Sequence, residues 1–179
     1  MEGVERPSKG QRIALITGVG VGGIGGSLAT ELHREGYFVV CGARRPAAIA
    51  SLVRPGIVAA ALDVKSTEAI AELAKEVASL SDDGRLDVLI NNAGTATHLP
   101  ALDVDVDGTV RDMYDVNVLG PMRMVKAFGA LLIKARGTVV NIGSIAPIMP
   151  LSFSAAYGGT KAALHAYGDI LRLELSPFG

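Results

Sequence analysis

Tyr157 and Lys161 stand four residues apart in a stretch whose pattern opens a helix near Ser154. That spacing puts a phenol and an ammonium on one helical face, about 6 Å apart along the axis. A phenol ordinarily ionises near pH ~10, and a neighbouring cation stabilises the phenolate. Such a pair suits general acid–base work near neutral pH. Just upstream, Gly137-Thr138-Val139-Val140-Asn141-Ile142 is β-branched and apolar, and reads as a buried strand. It runs out at Gly143-Ser144 and a loop carrying Pro147 and Pro150. Ser144 is suited to hydrogen-bond the oxygen on which the proton lands. A lone Tyr-x-x-x-Lys is more often a solvated helical face, so the company it keeps decides the matter.

A second constellation lies near the start. Thr17-Gly18-Val19-Gly20-Val21-Gly22-Gly23-Ile24-Gly25 follows a short apolar strand and opens a helix. Glycines let the backbone turn tightly and approach a pyrophosphate held at the helix N-terminus. Gly20, Gly22 and Gly25 spell a dinucleotide fingerprint, while Gly18, Gly20 and Gly22 resemble a methyltransferase loop. The methyltransferase reading lacks the acidic residue that normally precedes its loop, since Thr17 stands there. No Gly-Lys-Ser/Thr follows, so this is not a P-loop. Gly25-Gly26-Ser27-Leu28-Ala29 half-resembles a nucleophile elbow, but Ser27 falls inside the helix, which argues against a hydrolase.

About twenty residues on, where an NAD site places a carboxylate, the chain has Gly42-Ala43-Arg44-Arg45. The planar donors of Arg44 match the oxygens of a 2′-phosphate, which favours NADP(H) over NAD(H). Asp63 is suited to accept from an adenine amine, with helix capping as its rival role.

The elements that must position these groups alternate. Strands are expected at Arg12–Thr17, Tyr37–Cys41, Ile57–Leu62, Leu86–Ile90 and Val139–Ile142. Helices are expected at Ile24–Glu35, ended by Gly36, and at Thr67–Leu80, capped by Ser66. A long helix follows at Thr109–Lys134, with a kink at Gly120-Pro121, and a last one at Ser154–Leu175. Such alternation implies an α/β fold, a doubly wound parallel sheet with helices on both faces. Its ligand crevice would lie outside the carboxyl ends of the strands, where every group named above falls.

The length of 179 residues suits one domain, with residues 1–11 as a disordered tail and 12–179 as the folded unit. A composition 49% hydrophobic and 20% charged is ordinary for such a fold. A net charge of −1 offers no basic excess for nucleic acid or anionic lipid. The polar start has no signal-peptide core, and no apolar run approaches membrane-spanning length. The single cysteine, Cys41, sits in an apolar run and reads as a core residue. Three histidines without ligand spacing imply no metal. His98 reads as a loop residue with a lesser reading at the border of a substrate, and His165 as packed on its helix. Met122, Met124, Val125, Phe128, Leu131 and Leu132 make the long helix apolar over much of its circumference, so it is deeply buried or an oligomer face.

Together, the Thr-Gly…Gly-Ile-Gly loop, Asp63, Asn91-Asn92-Ala93-Gly94, Asn117 in Val-Asn-Val, Ser144 and Tyr157-Gly-Gly-Thr-Lys161 resemble the short-chain dehydrogenase/reductase family. The resemblance implies a Rossmann-like sheet of order 3-2-1-4-5. It implies Tyr157 as proton donor, Ser144 orienting a carbonyl, Lys161 on the nicotinamide ribose and Asn117 in a water-linked relay. Thr17, Gly18, Gly23, Ile24, Gly25, Arg44, Asp63, Asn91, Ala93 and Gly94 would join Tyr157 and Lys161 in holding the cofactor. A small ketone, aldehyde or alcohol is the implied substrate, and a homodimer or homotetramer the implied assembly.

Cys41-Gly-Ala-Arg44-Arg45, Leu99-Pro-Ala-Leu-Asp103 and Ile133-Lys-Ala-Arg-Gly137 further resemble fungal NADPH reductases of the 1-acyldihydroxyacetone-phosphate type. Two departures stand out. The glycine loop has one residue more between Gly18 and Gly23 than the family spacing. The text also stops at Gly179, where the family enters its last two strands, so it reads like a C-terminally truncated enzyme. The rival reading is an inactive dinucleotide-binding fragment that partners another subunit. A cytoplasmic location is expected, with peripheral association to a lipid-droplet or endoplasmic-reticulum surface left open for a longer form.

Overall fold

Five short apolar runs pair into one parallel sheet in the computed structural model, which describes residues 6–179. The strands are β1 (Ile13–Thr17), β2 (Phe38–Ala43), β3 (Ile57–Ala61), β4 (Val88–Asn91) and β5 (Thr138–Asn141). Their order is β3-β2-β1-β4-β5, as the resemblance implied, and each pairing is parallel. Every residue of β1 and β2 is buried, which explains their unbroken apolar text: both faces are covered. β2 runs two residues past its expected end because Gly42 and Ala43 pair with Ala60 and Ala61.

Helices cover both faces. α1 (Ile24–Arg34) and a 3-10 helix over Pro46–Leu52 lie on the side of Ile16, Val39 and Cys41. That second segment lies between the second and third expected strands, where no helix is expected; its buried Ile49 anchors it. On the other face α2 (Thr67–Ala78), α4 (Gly120–Ala135) and α5 (Ala155–Leu175) pack on Leu15, Val40 and Leu89. The Ser66 hydroxyl accepts from the Ala69 amide at 3.1 Å and caps α2, as expected.

The long helix differs from its expectation. It begins at Val106, where the Asp105 carboxylate accepts from the Gly108 and Thr109 amides. It then passes through α3 (Arg111–Tyr114) and a π-helical turn at Asp115–Leu119 before α4. Pro121 has no N–H to give the Asn117 carbonyl, and the Gly120 amide reaches back five residues to Asp115. The expected kink is thus a widened turn, one residue before the Gly-Pro step. By length and composition Val106–Ala135 is apolar enough to cross a membrane, contrary to the sequence reading. Its Met124, Phe128 and Leu132 are buried in the sheet-facing core, so that face is a core face rather than an oligomer face.

β5 also departs from its text. Read as a buried strand, it has β4 on one side only among the described residues, and Val140 is 37% exposed. The expected disordered tail falls in part on residues 1–5, outside the described residues. Ser8 to Gln11 form a turn, and Gln11 Nε2 donates to the Gly36 carbonyl at 3.1 Å.

Candidate active site

The site is built where β1 and β4 end side by side. Gly18 leaves β1 with φ +65°, and a Cβ there would lie 2.5 Å from Ala93 Cα. Only glycine satisfies both the left-handed backbone and that approach. Thr17, buried, accepts at its hydroxyl from the Asn92 and Ala93 amides at 3.1 and 3.0 Å. The Asn92 side chain donates in turn to the Thr17 and Gly18 carbonyls at 2.8 and 3.0 Å. The Asn-Asn-Ala-Gly segment and the glycine loop therefore hold each other.

The loop then turns and opens α1 at Ile24, with Gly23 as its N-cap. No side chain caps that helix, and its first turn carries no acidic residue. Its leading amides and dipole suit an anion. Gly26 supports the loop from below, since a Cβ there would fall 2.5 Å from the Gly20 carbonyl oxygen. Gly25 faces Asn92 and Gly22 takes a left-handed φ of +74°, whereas Gly20 has open space, so the demanding positions are 18, 22, 25 and 26. The helix starts at Ile24, where the sequence placed it.

Above this junction lies a cavity of about 430 Å³. Gly18, Ile24, Arg44, Asp63, Ala93 and Gly94 line it, six of the residues expected to hold a cofactor. Arg44 is exposed at the rim, just past β2. Asp63 accepts from the Lys65 amide at 3.0 Å in a tight turn, while helix capping falls to Ser66. Asn91 does not line the cavity: its amide donates sideways to Asn141 Oδ1 at 2.9 Å, joining β4 to β5. The second asparagine of the pair, Asn92, lines it instead. The doublet itself was the available signal, because the residue after a strand leaves the sheet. Lys65 and Asp112 also line the cavity and pair at 2.7 Å across 47 residues, a contact with no local signature.

The acid–base group assembles at the start of α5. Lys161 is 5% exposed, and its Nζ donates to the Ile142 carbonyl at 2.8 Å. Burial pushes its pKa down from the ordinary lysine value. The same Nζ lies 5.9 Å from the centroid of the half-buried Tyr157 ring. Asn117, fully buried in the widened turn, donates to the Thr95 carbonyl and the Thr160 hydroxyl at 2.8 and 3.0 Å. Its Oδ1 accepts from the Thr95 amide at 2.8 Å. A Cβ on Gly94 would sit 3.4 Å from Asn117 Oδ1 and 3.8 Å from Lys161 Nζ. The cavity lining thus runs directly up to both.

Ser144 Oγ accepts from the Ala146 amide at 3.1 Å, so its proton is left to donate elsewhere. Its own amide donates to His165 Nε2 at 3.4 Å, a tie across to α5 that the helix-packing reading of His165 had not included. A larger groove of about 650 Å³, between β5 and α5, includes none of the predicted site residues.

A parallel sheet of this order, with a glycine loop after β1 and a Tyr-Lys pair on α5, defines a nucleotide-binding oxidoreductase class. Residues 12–179 match the short chain dehydrogenase family, and the chain belongs to it. The short-chain dehydrogenase virD of Hypocrea virens is 45% identical over 171 residues, covering 96% of this chain and 59% of that protein. The NADPH-dependent 1-acyldihydroxyacetone phosphate reductase of Schizosaccharomyces pombe is 43% identical over 169 residues, covering 94% and 56%. A short-chain dehydrogenase structure from Streptomyces avermitilis superposes with a TM-score of 0.88 at 33% identity, covering 96% of this chain and 63% of that one. A metagenomic short-chain oxidoreductase in complex with NADP follows with a TM-score of 0.85 at 29% identity, covering 93% and 77%. The chain spans well under two thirds of the length of both curated relatives.

Proposed function

We propose that the 430 Å³ cavity holds NADP(H) and that the adjoining Tyr157–Lys161–Ser144 group reduces a ketone or aldehyde to an alcohol, reversibly. The observation that carries this is the convergence of Lys161 Nζ and Asn117 on Gly94, where the cavity lining meets the acid–base group. The fit rests on the uncapped N-terminus of α1 and on the bare backbone at Gly18, which together offer a cradle for a pyrophosphate. A bound nicotinamide supplies or takes the hydride at the carbon.

The chain supplies the rest. Tyr157 hands its phenolic proton to the carbonyl oxygen, and the Ser144 hydroxyl donates a hydrogen bond to the same oxygen. Lys161 uses one ammonium proton on Ile142 and keeps two, for the ribose and for the phenol side. The Asn117 amide is fully engaged with Thr95 and Thr160, so its part in a proton relay falls to the main-chain carbonyl that Pro121 leaves without an α-helical donor. Arg44 at the rim meets the 2′-phosphate. The names of the Schizosaccharomyces pombe reductase and the NADP complex support the phosphorylated cofactor. Homo-oligomers would form through the outer sides of α4 and α5, where Ile133, Ile170 and Leu173 remain exposed.

A dinucleotide-binding unit without turnover, docked on another reductase subunit, is the second reading; the side of β5 that no strand covers among the described residues favours it.

Fluorescence titration with NADPH and with NADH tests the first reading, and with no tryptophan in the chain the nicotinamide emission is free of indole background. NADPH should bind more tightly than NADH, and Arg44→Ala should weaken NADPH by about tenfold while leaving NADH unchanged. Tyr157→Phe should bind NADPH as before and reduce no ketone. Binding of neither nucleotide would sink the proposal, and turnover surviving in Tyr157→Phe would remove the assigned acid.

A further inference from the structure

His98 sits on the segment that leaves Gly94 toward Asp105, and its Nδ1 lies 2.9 Å from the Ser154 hydroxyl. Ser154 is buried and occupies the N-cap of α5, yet its side chain caps no amide of that helix. A serine there ordinarily accepts from the second or third helical amide. Here its hydroxyl is turned to a histidine 56 residues earlier in the chain. Three residues further along α5 is Tyr157, and the His98 ring meets that ring edge-on, with centroids 6.0 Å apart and planes at 63°. This is the favourable edge-to-face geometry of aromatic pairs. Tyr157 therefore has the His98 ring and the Lys161 ammonium as aromatic and cationic neighbours.

We infer that His98 is a positioning residue: by bonding Ser154 and resting on the Tyr157 ring, it docks the segment after β4 onto α5 and sets the phenol's direction. The inference rests on the reading of Tyr157 as the proton donor. A second anchor makes the docking rigid, since Thr95 is clamped through its N–H and C=O to Asn117 three residues before His98. With one end fixed there and the other at Ser154, the segment has little freedom to swing away from the acid. Sequence offered a loop histidine or one at the border of a substrate, because nothing in the local text pairs residue 98 with 154.

The test uses the full chain carrying 3-fluorotyrosine. Its four tyrosines, Tyr37, Tyr114, Tyr157 and Tyr167, give four fluorine signals, and Tyr157→Phe assigns the relevant one. His98→Ala and Ser154→Ala should each displace the Tyr157 signal and leave Tyr37 and Tyr167 in place. The double variant should add nothing to the single ones, as coupled partners behave. With 2,3-butanedione as the probe ketone, His98→Ala should lower kcat by about tenfold, with KM and NADPH affinity nearly unchanged. His98→Asn, which keeps a hydrogen-bonding group near the Nδ1 position, should recover part of both effects and stands in if the alanine variant does not fold. An unmoved Tyr157 signal, or effects of His98 and Ser154 that simply add, would overturn the inference. A wild-type chain that binds no NADPH would instead sink the proposed function, while the fluorine signals would still decide the contact.

Discussion

Lys161 shows how far a single residue is bent by its place. An ammonium at 5% exposure keeps one carbonyl partner at 2.8 Å, and burial lowers its pKa from 10.5. The folded chain then holds that proton less tightly than the unfolded chain. Below the lowered value the buried charge opposes folding in full. As pH climbs from there toward 10.5 the unfolded state binds more protons, so this contribution to stability rises. Lys161→Met removes the titrating group. Melting curves across the alkaline range should show the wild type gaining on Lys161→Met as pH rises; parallel curves would contradict the burial argument. Cys41 follows the same physics with the opposite sign, its thiol pushed up to about 12 by burial among core residues. At pH 8 its thiolate should therefore be roughly a thousandfold scarcer than for a thiol at the ordinary 9.0, and iodoacetamide should label it only once the chain unfolds.

At the scale of elements, local text was a good guide where the stabilising contact was itself local. Ser66 caps α2 from three residues away, and that was readable from the chain. Ser66→Ala should lower stability by ~1 kcal/mol in urea unfolding, without touching NADPH affinity. The π-helical turn at Asp115–Leu119 was less legible. Pro121 announced a disturbance, but whether the helix would bend or widen depended on partners from elsewhere. Arg123 reaches both the Asp115 carboxylate, at 2.7 Å, and the carbonyl of Val64, at 3.4 Å, in the segment that follows β3. Asn117 is locked by Thr95 and Thr160. Those contacts hold the widened turn, and the sequence reading had only its proline.

Over the whole molecule, β5 separates what a strand's composition says from where it lies. Its β-branched text reads as core, and it sits with one open side among the described residues. The central strands β1 and β2 have every residue buried and a partner on either side. Hydrogen exchange followed by mass spectrometry should find the amides of β5 exchanging well before those of β1 and β2. Equal protection would mean that the open side is covered in solution, as a docked subunit would cover it. That outcome would shift weight toward the second reading of function.

Taken alone, the sequence determined the fold class, the order of the sheet through its family resemblance, and the placing of the glycine loop, Arg44, Tyr157 and Lys161 on their elements. Spacing within a strand or helix is set by backbone geometry, so these assignments needed no partner. The tertiary structure decided which side chains meet. It turned Asn91 toward β5 and Asn92 toward the cavity, gave Lys161 to the Ile142 carbonyl and brought His98 to Ser154. Those groups lie between 19 and 56 residues from their partners in the chain, or face one side of a sheet rather than the other. Contacts of that kind depend on how packed elements register against each other, which no local pattern encodes.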